Sequence, residues 1–194
     1  MGLTLDLMRA FVRCRYKAFL KCTGQTGSPT DYELLDNRLA GAYQEKVTQR
    51  LVERYSSREV APGSLPLGDA LKGRHKLILN VSSNDEHGSI TIPAIERLAS
   101  GRQQDYAVLT FSPGNKVTRP TKLLAALLGN ALRTWSGLPV SCAKVVFGPR
   151  FSTTRLGLSG AKGPTNLGKE TSSMLLDLEA MVTLGAGNGC RHVT

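Results

Sequence analysis

The pattern of apolar and polar positions is most informative in residues 88–135. Two short apolar runs, at residues 90–98 and 106–111, have the length and the residue types of β-strands. Residues 112–115 (SPGN) form a turn sequence, and residues 116–135 join a basic beginning to an almost unbroken apolar body. The pattern therefore predicts two strands, a loop and a helix in succession.

A further apolar run extends this order beyond the helix. Residues 143–147 (AKVVF) predict a strand, so we expect a strand–helix–strand unit. Strands joined by a helix pair in parallel, through a right-handed crossover. Alternation in residues 76–82 predicts a strand that forms a hairpin with residues 89–98, and residues 153–158 can form one more strand.

Helical periodicity predicts further helices. Thr4 is a suitable N-cap, with Asp6 in the first turn, for a helix over about residues 5–21. Apolar positions predict another helix over residues 169–183, and residues 68–72 fit one helical turn. A strict four-residue step predicts a long amphipathic helix that ends near residue 55. The step is made by Leu35, Leu39, Tyr43, Val47 and Leu51.

These elements predict an α/β (α+β) fold, with a mixed central β-sheet flanked by helices and a helical N-terminal part. Residues 1–183 are expected to form a single domain, because 194 residues bury one core comfortably. Ser, Gly and Pro predict loops at residues 56–67 and 159–168. The predicted parts are a helical part at 1–56, a sheet core at 76–158 with its crossover helix at 116–135, a C-terminal helix at 169–183, and an irregular tail at 184–194.

The charge of the sequence predicts a class of binding partner. The chain has a formal net charge of +10 and an isoelectric point near 9.8. Such a charge favours a polyanion, and nucleic acid in particular. A merely solvated surface is the alternative interpretation of each basic residue. The residues predicted to bind DNA are Arg13, Arg15, Lys17, Lys116, Arg119, Arg133 and Arg150.

The apolar pattern also bears on location. No run approaches the roughly 18 apolar residues of a membrane span, so no membrane partner is expected. The first residues lack the basic segment, apolar segment and cleavage site of a signal peptide. The sequence therefore predicts a cytoplasmic protein. None of the four cysteines belongs to a CxxC pair, and none is expected to form a disulfide in that compartment.

Six segments carry a resemblance through their order and spacing. They are residues 7–20 (LMRAFVRCRYKAFL), 31–35 (DYELL), 116–118 (KVT), 122–125 (KLLA), 146–150 (VFGPR) and 153–156 (TTRL). In this order the chain resembles RecB-like nucleases of the PD-(D/E)xK superfamily, including the CRISPR-adaptation branches. The resemblance covers roughly residues 1–182 and rests on no single motif.

The resemblance implies a restriction-endonuclease-like core, a mixed sheet flanked by helices, that hydrolyses DNA phosphodiesters with Mg²⁺ or Mn²⁺. In that chemistry acidic side chains hold a hard divalent cation, the metal activates water, and a lysine assists. The same family implies a helicase or another nucleic-acid-processing protein as a partner.

This sequence departs from the family pattern where the metal would bind. Pro93 stands ahead of Ala94-Ile95-Glu96, where the family has Asp ahead of Ala-Leu-Glu, and Ala107 stands where the family has an acid after Tyr. Thr121 replaces a Gln ahead of Lys-Leu-Leu, and Tyr43 takes a position that often holds a metal-binding His. Lys122 is the catalytic-type residue that remains, although a surface lysine at a helix N-terminus is an equally good interpretation.

Three functional hypotheses stay open. The first is a nuclease-fold domain that binds DNA and has lost its metal-binding acids. The second is an active metal-dependent nuclease that uses Asp105, Glu96 and either Asp85 or Glu86 in shifted roles. Strand alternation is expected to point Glu96 away from the face of position 93, and to place Asp105 about 7 Å from Ala107 on a shared face. The third is a non-catalytic interaction module.

An iron–sulfur cluster is not expected. Several relatives hold a 4Fe–4S cluster with one early and three late cysteines, and Cys14 stands at the early position as a vestigial ligand. A cluster of this kind needs four converging thiolates, and only Cys190 lies near the end of the chain. The end of the chain therefore suggests a C-terminally truncated relative.

Overall fold

A computed structural model describes residues 2–25, 27–61, 66–73, 75–85, 88–98, 105–160 and 163–188. The helices are α1 (Leu5–Arg13), α2 (Arg15–Cys22), α3 (Asp31–Arg54), α4 (Leu67–Lys72), α5 (Arg119–Ser136) and α6 (Asn166–Asn188). The strands are β1 (Val60–Ala61), β2 (Leu77–Asp85), β3 (Gly88–Leu98), β4 (Asp105–Ser112), β5 (Val140–Phe147), β6 (Ser152–Gly157), β7 (Ser159–Gly160) and β8 (Gly163–Pro164).

The first six strands form one mixed, open sheet in the order β1-β2-β3-β4-β5-β6. The pairs β1–β2 and β4–β5 are parallel, and the pairs β2–β3, β3–β4 and β5–β6 are antiparallel. Within the described residues, the short strands β7 and β8 pair with each other in a separate two-stranded sheet. The predicted α/β class, the hairpin and the parallel crossover from β4 through α5 to β5 are therefore confirmed.

Helices cover both faces of the sheet. On one face, α3 packs through Tyr43, Val47 and Leu51 onto apolar side chains that include Leu109 and Val146. On the other face, α1, α5 and α6 close a larger core around the opposite side chains of the same strands. Burial on both sides explains why β4 and β5 read as continuous apolar runs and not as alternating ones.

A capping box fixes the beginning of the long helix α3. The hydroxyl of Thr30 accepts from the backbone N–H of Glu33, and the Glu33 carboxylate accepts from the N–H of Thr30. This capping box satisfies backbone donors that a helix start leaves without a partner. Leu35 and Leu39 in the first half of α3 remain 50% and 53% exposed, so only the second half of the helix lies on the sheet.

Strand alternation is interrupted where β2 and β3 cross Asn80 and Pro93. Ile92 and Ile95 are three residues apart and yet belong to the same core cluster, and so do Ile78 and Val81 on the neighbouring strand. Proline has no N–H to donate to the ladder, and Asn80 has a φ of 47°. Strand alternation counted from Pro93 therefore does not predict which side chains lie on the same face of the sheet.

The first predicted helix is wrong in one respect, because it is two helices. Cys14 has φ −158° and ψ 110°, so it ends α1 and begins α2. The backbone N–H of Cys14 donates to the carbonyl of Ala10 at 2.7 Å, which closes α1. The change of direction lets α1 pack against α5 while α2 packs against α6. The predicted cap is confirmed, since the Thr4 hydroxyl accepts from the N–H of Leu7 at 3.2 Å.

Three boundaries also differ from the predictions. Helix α5 begins at Arg119, with Thr118 as its N-cap, so Lys116 lies in the preceding loop. Helix α6 runs from Asn166 to Asn188 and takes up part of both the predicted linker and the predicted tail. The predicted loop at residues 56–67 contains the short edge strand β1. Among the described helices, none combines the length and apolar character that crossing a bilayer requires.

Two helical glycines provide a test of packing. A Cβ at Gly168, in the first turn of α6, would lie 2.2 Å from the carbonyl oxygen of Leu158. Because backbone cannot move aside cheaply, Gly168→Ala is expected to lower the free energy of unfolding by about 1–3 kcal/mol. A Cβ at Gly41, within α3, would meet nothing within 4 Å.

Gly41→Ala is the matched control for that substitution. It is expected to raise the free energy of unfolding by about 0.5–1 kcal/mol, since alanine is the better helix former. Urea unfolding followed by circular dichroism measures both changes. Equal effects of the two substitutions would show that α6 does not approach the Leu158 backbone this closely.

Candidate functional site

A half-buried polar cluster lies on the face of the sheet that α3 covers. The ammonium of Lys144 on β5 lies 2.6 Å from one carboxylate oxygen of Glu96 on β3. The hydroxyl of Tyr55, just after α3, donates to the other oxygen at 3.3 Å. The side chains of Glu96 and Lys144 are only 21% and 20% exposed, so solvent screens this ion pair weakly.

The register of the strands explains how these groups meet. Glu96 is the direct cross-strand partner of Ala107, and Lys144 is the partner of Leu109. Glu96 and Lys144 therefore stand on strands two apart, with backbones separated by roughly 10 Å. Because the side chain of Ala107 is small, the Lys144 side chain can cross β4 and reach the Glu96 carboxylate.

Burial perturbs the third member of the cluster. Desolvation raises the pKa of Tyr55, and the negative charge of Glu96 adds to the rise. Tyr55 is therefore protonated at neutral pH and donates to Glu96. Both oxygens of Glu96 are thus engaged by groups of the protein.

Asp105 has a structural environment of its own. One carboxylate oxygen accepts from the backbone N–H of Tyr106 at 2.8 Å and from that of Ser141 at 3.0 Å. The other oxygen accepts from the Ser141 hydroxyl. The register between β4 and β5 shifts between Tyr106 and Ala107, and Asp105 holds the extra residue, Ser141, at this irregularity.

Lys122 lies apart from the other two predicted catalytic residues. Lys122 is exposed in the first turn of α5, on the face of the sheet opposite to α3. Glu96 lies on the α3 face, in the interior of the sheet. Asp105 stands at the beginning of β4, the end of that strand furthest from the start of α5.

The described carboxylates do not fit a divalent metal. Mg²⁺ and Mn²⁺ prefer several oxygen ligands, and the part of the chain that the structure describes holds no group of three His, Cys, Asp or Glu side chains that could supply them. Pro93 and Ala107 are buried and offer no ligand atom in their side chains. Of the remaining candidates, the Asp85 side chain and Glu86 lie outside the described residues.

Tyr43 packs as a core residue. Its hydroxyl donates to the carbonyl oxygen of Gly148 at 2.9 Å, and its ring stacks on Phe151 with centroids 5.7 Å apart. Desolvation raises the pKa of Tyr43. The residue therefore ties α3 to the turn between β5 and β6.

Acidic partners already occupy much of the predicted DNA-binding surface. Arg13 lies 2.9 Å from Asp36 of α3, and Lys17 pairs with Glu33 of the same helix. The other two pairs join helices to α6. They are Arg15 with Asp177 at 3.4 Å and Arg119 with Glu170 at 3.0 Å.

Other basic residues have no acidic partner among the described residues. Of these, Lys116, Arg133 and Arg150 were predicted from the sequence to bind DNA, and Lys122 was predicted to be the catalytic-type lysine. A second set of basic residues was not predicted from the sequence. The only signal for it was their spacing on α3. Lys46, Arg50 and Arg54 repeat every four residues, one position before Val47, Leu51 and Tyr55, and Arg155 lies on β6.

The cysteines are dispersed. Cys14 is exposed at the break between α1 and α2, in an open groove of about 440 Å³ that Arg15, Met174 and Asp177 also line. Cys22 and Cys142 are buried in different core clusters. Cys190 lies outside the described residues. Cys22 and Cys142 therefore serve as small apolar core residues.

A double-mutant cycle tests the cluster around Glu96. Glu96→Gln and Lys144→Met are each expected to lower the free energy of unfolding, and their coupling energy is expected to be about 1–3 kcal/mol because the pair is shielded from water. The exposed pair Arg13–Asp36 provides the control. Its coupling, from Arg13→Met and Asp36→Asn, is expected to stay below about 1 kcal/mol. Equal coupling energies would show that the Glu96 pair is solvated.

No protein-family model matches this sequence, and no curated protein matches it. The likeness to RecB-like nucleases therefore remains a resemblance of ordered segments. What the structure adds is the mixed sheet, the register that brings Glu96 beside Ala107, and the distribution of charge over the surface. Any functional conclusion rests on those three features.

Proposed function

We propose that this protein is a restriction-endonuclease-like domain of the RecB-like type that binds DNA and has lost metal-dependent hydrolysis. The observation that carries the proposal is the site at Glu96. A single carboxylate faces Ala107 there, and Lys144 and Tyr55 engage both of its oxygens.

The arrangement of the sheet supports the ancestry in this proposal. Strands β3 and β4 are followed by a loop, the helix α5 and the parallel strand β5, with helices on both faces. That is the outline expected of a metal-dependent nuclease core. A fold alone hosts many activities, so the outline supports the family and leaves the activity to the site.

The charges at the site support the loss of hydrolysis. A catalytic metal neutralises the charge that develops on the phosphate, and it needs oxygen ligands to stay bound. The cation beside Glu96 is the ammonium of Lys144. Unlike a metal ion, it has no open coordination position and activates no water. Without oxygen ligands in the side chains at positions 93 and 107, the site lacks the means to hold a cleaving metal.

Net charge supports the binding half of the proposal. The chain carries +10, and several arginines and lysines have no acidic partner among the described residues. Phosphate neutralisation by such residues supplies most of the sequence-independent affinity for DNA. A cytoplasmic location and a helicase or related protein as a partner belong to this proposal, as the family resemblance implies.

The test combines a binding assay with a cleavage assay. The purified chain is expected to bind single- and double-stranded DNA with an affinity that falls linearly with salt on logarithmic axes. Incubation with DNA and Mn²⁺ is expected to leave the DNA intact. Gel analysis measures cleavage, and fluorescence anisotropy measures binding.

Two variants decide between the alternatives. Cleavage that Asp105→Ala or Glu96→Gln abolishes, in protein that circular dichroism shows to be folded, would establish an active nuclease with shifted ligands. An absence of DNA binding even at low salt would instead favour the non-catalytic interaction module.

A further inference from the structure

We propose that the phosphate backbone of nucleic acid binds in the groove between the second half of α3 and the edge strand β6. This inference rests on the proposed function, since it names the surface through which the domain binds DNA. Arg50 and Arg54 line it, Lys46 continues their row on α3, Arg155 stands on β6, and Arg150 lies in the turn before β6. Apart from Arg150, sequence analysis assigned none of them to DNA.

Three of these residues form a continuous stripe along α3. Lys46, Arg50 and Arg54 are exposed and lie at successive four-residue steps, so they stand one above another at intervals of about 6 Å. The stripe runs directly beside the buried side chains Val47 and Leu51. It therefore borders the sheet instead of pointing away from it.

Strand β6 forms the opposite wall. Arg155 is the register partner of Lys144, and Thr153 is the partner of Val146. Since Lys144 and Val146 belong to the face beneath α3, the side chains of Thr153 and Arg155 stand on that face too. No strand pairs with the outer edge of β6 within the described residues, which leaves this wall open to a ligand.

The floor of the groove fixes the orientation of one arginine. Val146 and Phe151 lie between the two walls, and Arg50, Arg54 and Thr153 line the same cleft. The guanidinium of Arg50 lies 5.2 Å from the ring centroid of Phe151. Phe151 is itself stacked on Tyr43, so a rigid aromatic pair supports Arg50 at the surface.

This groove differs in one decisive respect from the basic N-terminal helices. Phosphate binding at Arg13 or Lys17 would have to displace a carboxylate from α3. At Arg50, Arg54, Arg150 and Arg155 no such carboxylate is present among the described residues. The second half of α3 has two acids, both on the row next to the stripe: Glu53 is hydrogen-bonded to Gln49, and Glu45 stands one position before Lys46. The groove is therefore ready to accept an anion.

The chemistry of the groove favours nucleic acid among the possible polyanions. Guanidinium groups bind phosphate through two parallel hydrogen bonds, and four of the five basic residues are arginines. A row of positive charges at regular intervals matches a polymer with one phosphate in every unit. The surface stripe lacks the large apolar residues through which a helix enters a bilayer.

The experiment compares charge removal at two places on the same protein. The triple variant Arg50→Gln, Arg54→Gln, Arg155→Gln is expected to bind a short fluorescent DNA strand at least about tenfold more weakly at low salt. The slope of log K against log salt concentration is expected to fall in magnitude by roughly 2–3, one unit or slightly less for each lost phosphate contact.

The matched control removes three positive charges elsewhere. It combines Arg38→Gln on α3, Lys72→Gln on α4 and Lys169→Gln on α6, all exposed residues outside the groove. Its slope is expected to stay within one unit of wild type. Thermal unfolding of both triple variants confirms that each is folded, and Arg155→Gln alone keeps the test open should the helix variants unfold.

The outcomes separate this inference from the proposed function. Failure of the wild-type protein to bind DNA overturns the proposed function. If the wild-type protein binds DNA and both triple variants lose affinity equally, the groove is not the binding surface, but the proposed function stands. The same conclusion follows if only the double variant Lys116→Gln, Lys122→Gln loses affinity. Stronger binding to phosphatidylserine vesicles than to DNA, lost in the groove variant, assigns the groove to a membrane surface and overturns the inference.

Discussion

The crossover from β4 through α5 to β5 is the constraint on which the rest of the structure depends. Parallel pairing of β4 and β5 requires a helix over one face of the sheet, and α5 fills that role with Leu127, Leu128 and Leu132 fully buried. The Glu96–Lys144 pair lies on the opposite face of the sheet, beneath α3.

The same constraint decides what the predicted catalytic residues can do. Lys122 belongs to the helix that closes the far face, and Glu96 belongs to the near one, so the sheet itself separates them. Asp105 is held at the irregularity between β4 and β5, where Ser141 needs its carboxylate. A metal site would require these groups to leave contacts on which the strand register depends.

Periodicity in the sequence was sufficient for most of the architecture, because apolar spacing directly records which faces are buried. It predicted the helix that became α3, the β2–β3 hairpin and the parallel crossover. It failed at Cys14 and near Pro93, where the chain changes direction without a glycine and a proline interrupts a ladder. The site was harder to predict, since the partner of Glu96 lies 48 residues away on β5. Pairwise contacts of this kind depend on register, which composition does not contain.

The distribution of charge shows why a basic sequence does not by itself locate an interface. The densest basic segment, around Cys14, is compensated by Asp36, Glu33 and Asp177 from other helices, and these acids become visible only after folding. Those ion pairs hold α1 and α2 against α3 and α6, so their cations serve the fold. A phosphate backbone instead selects cations that the fold leaves uncompensated. Among the described residues, the largest row of them lies along α3 beside β6, far in sequence from the basic segment around Cys14.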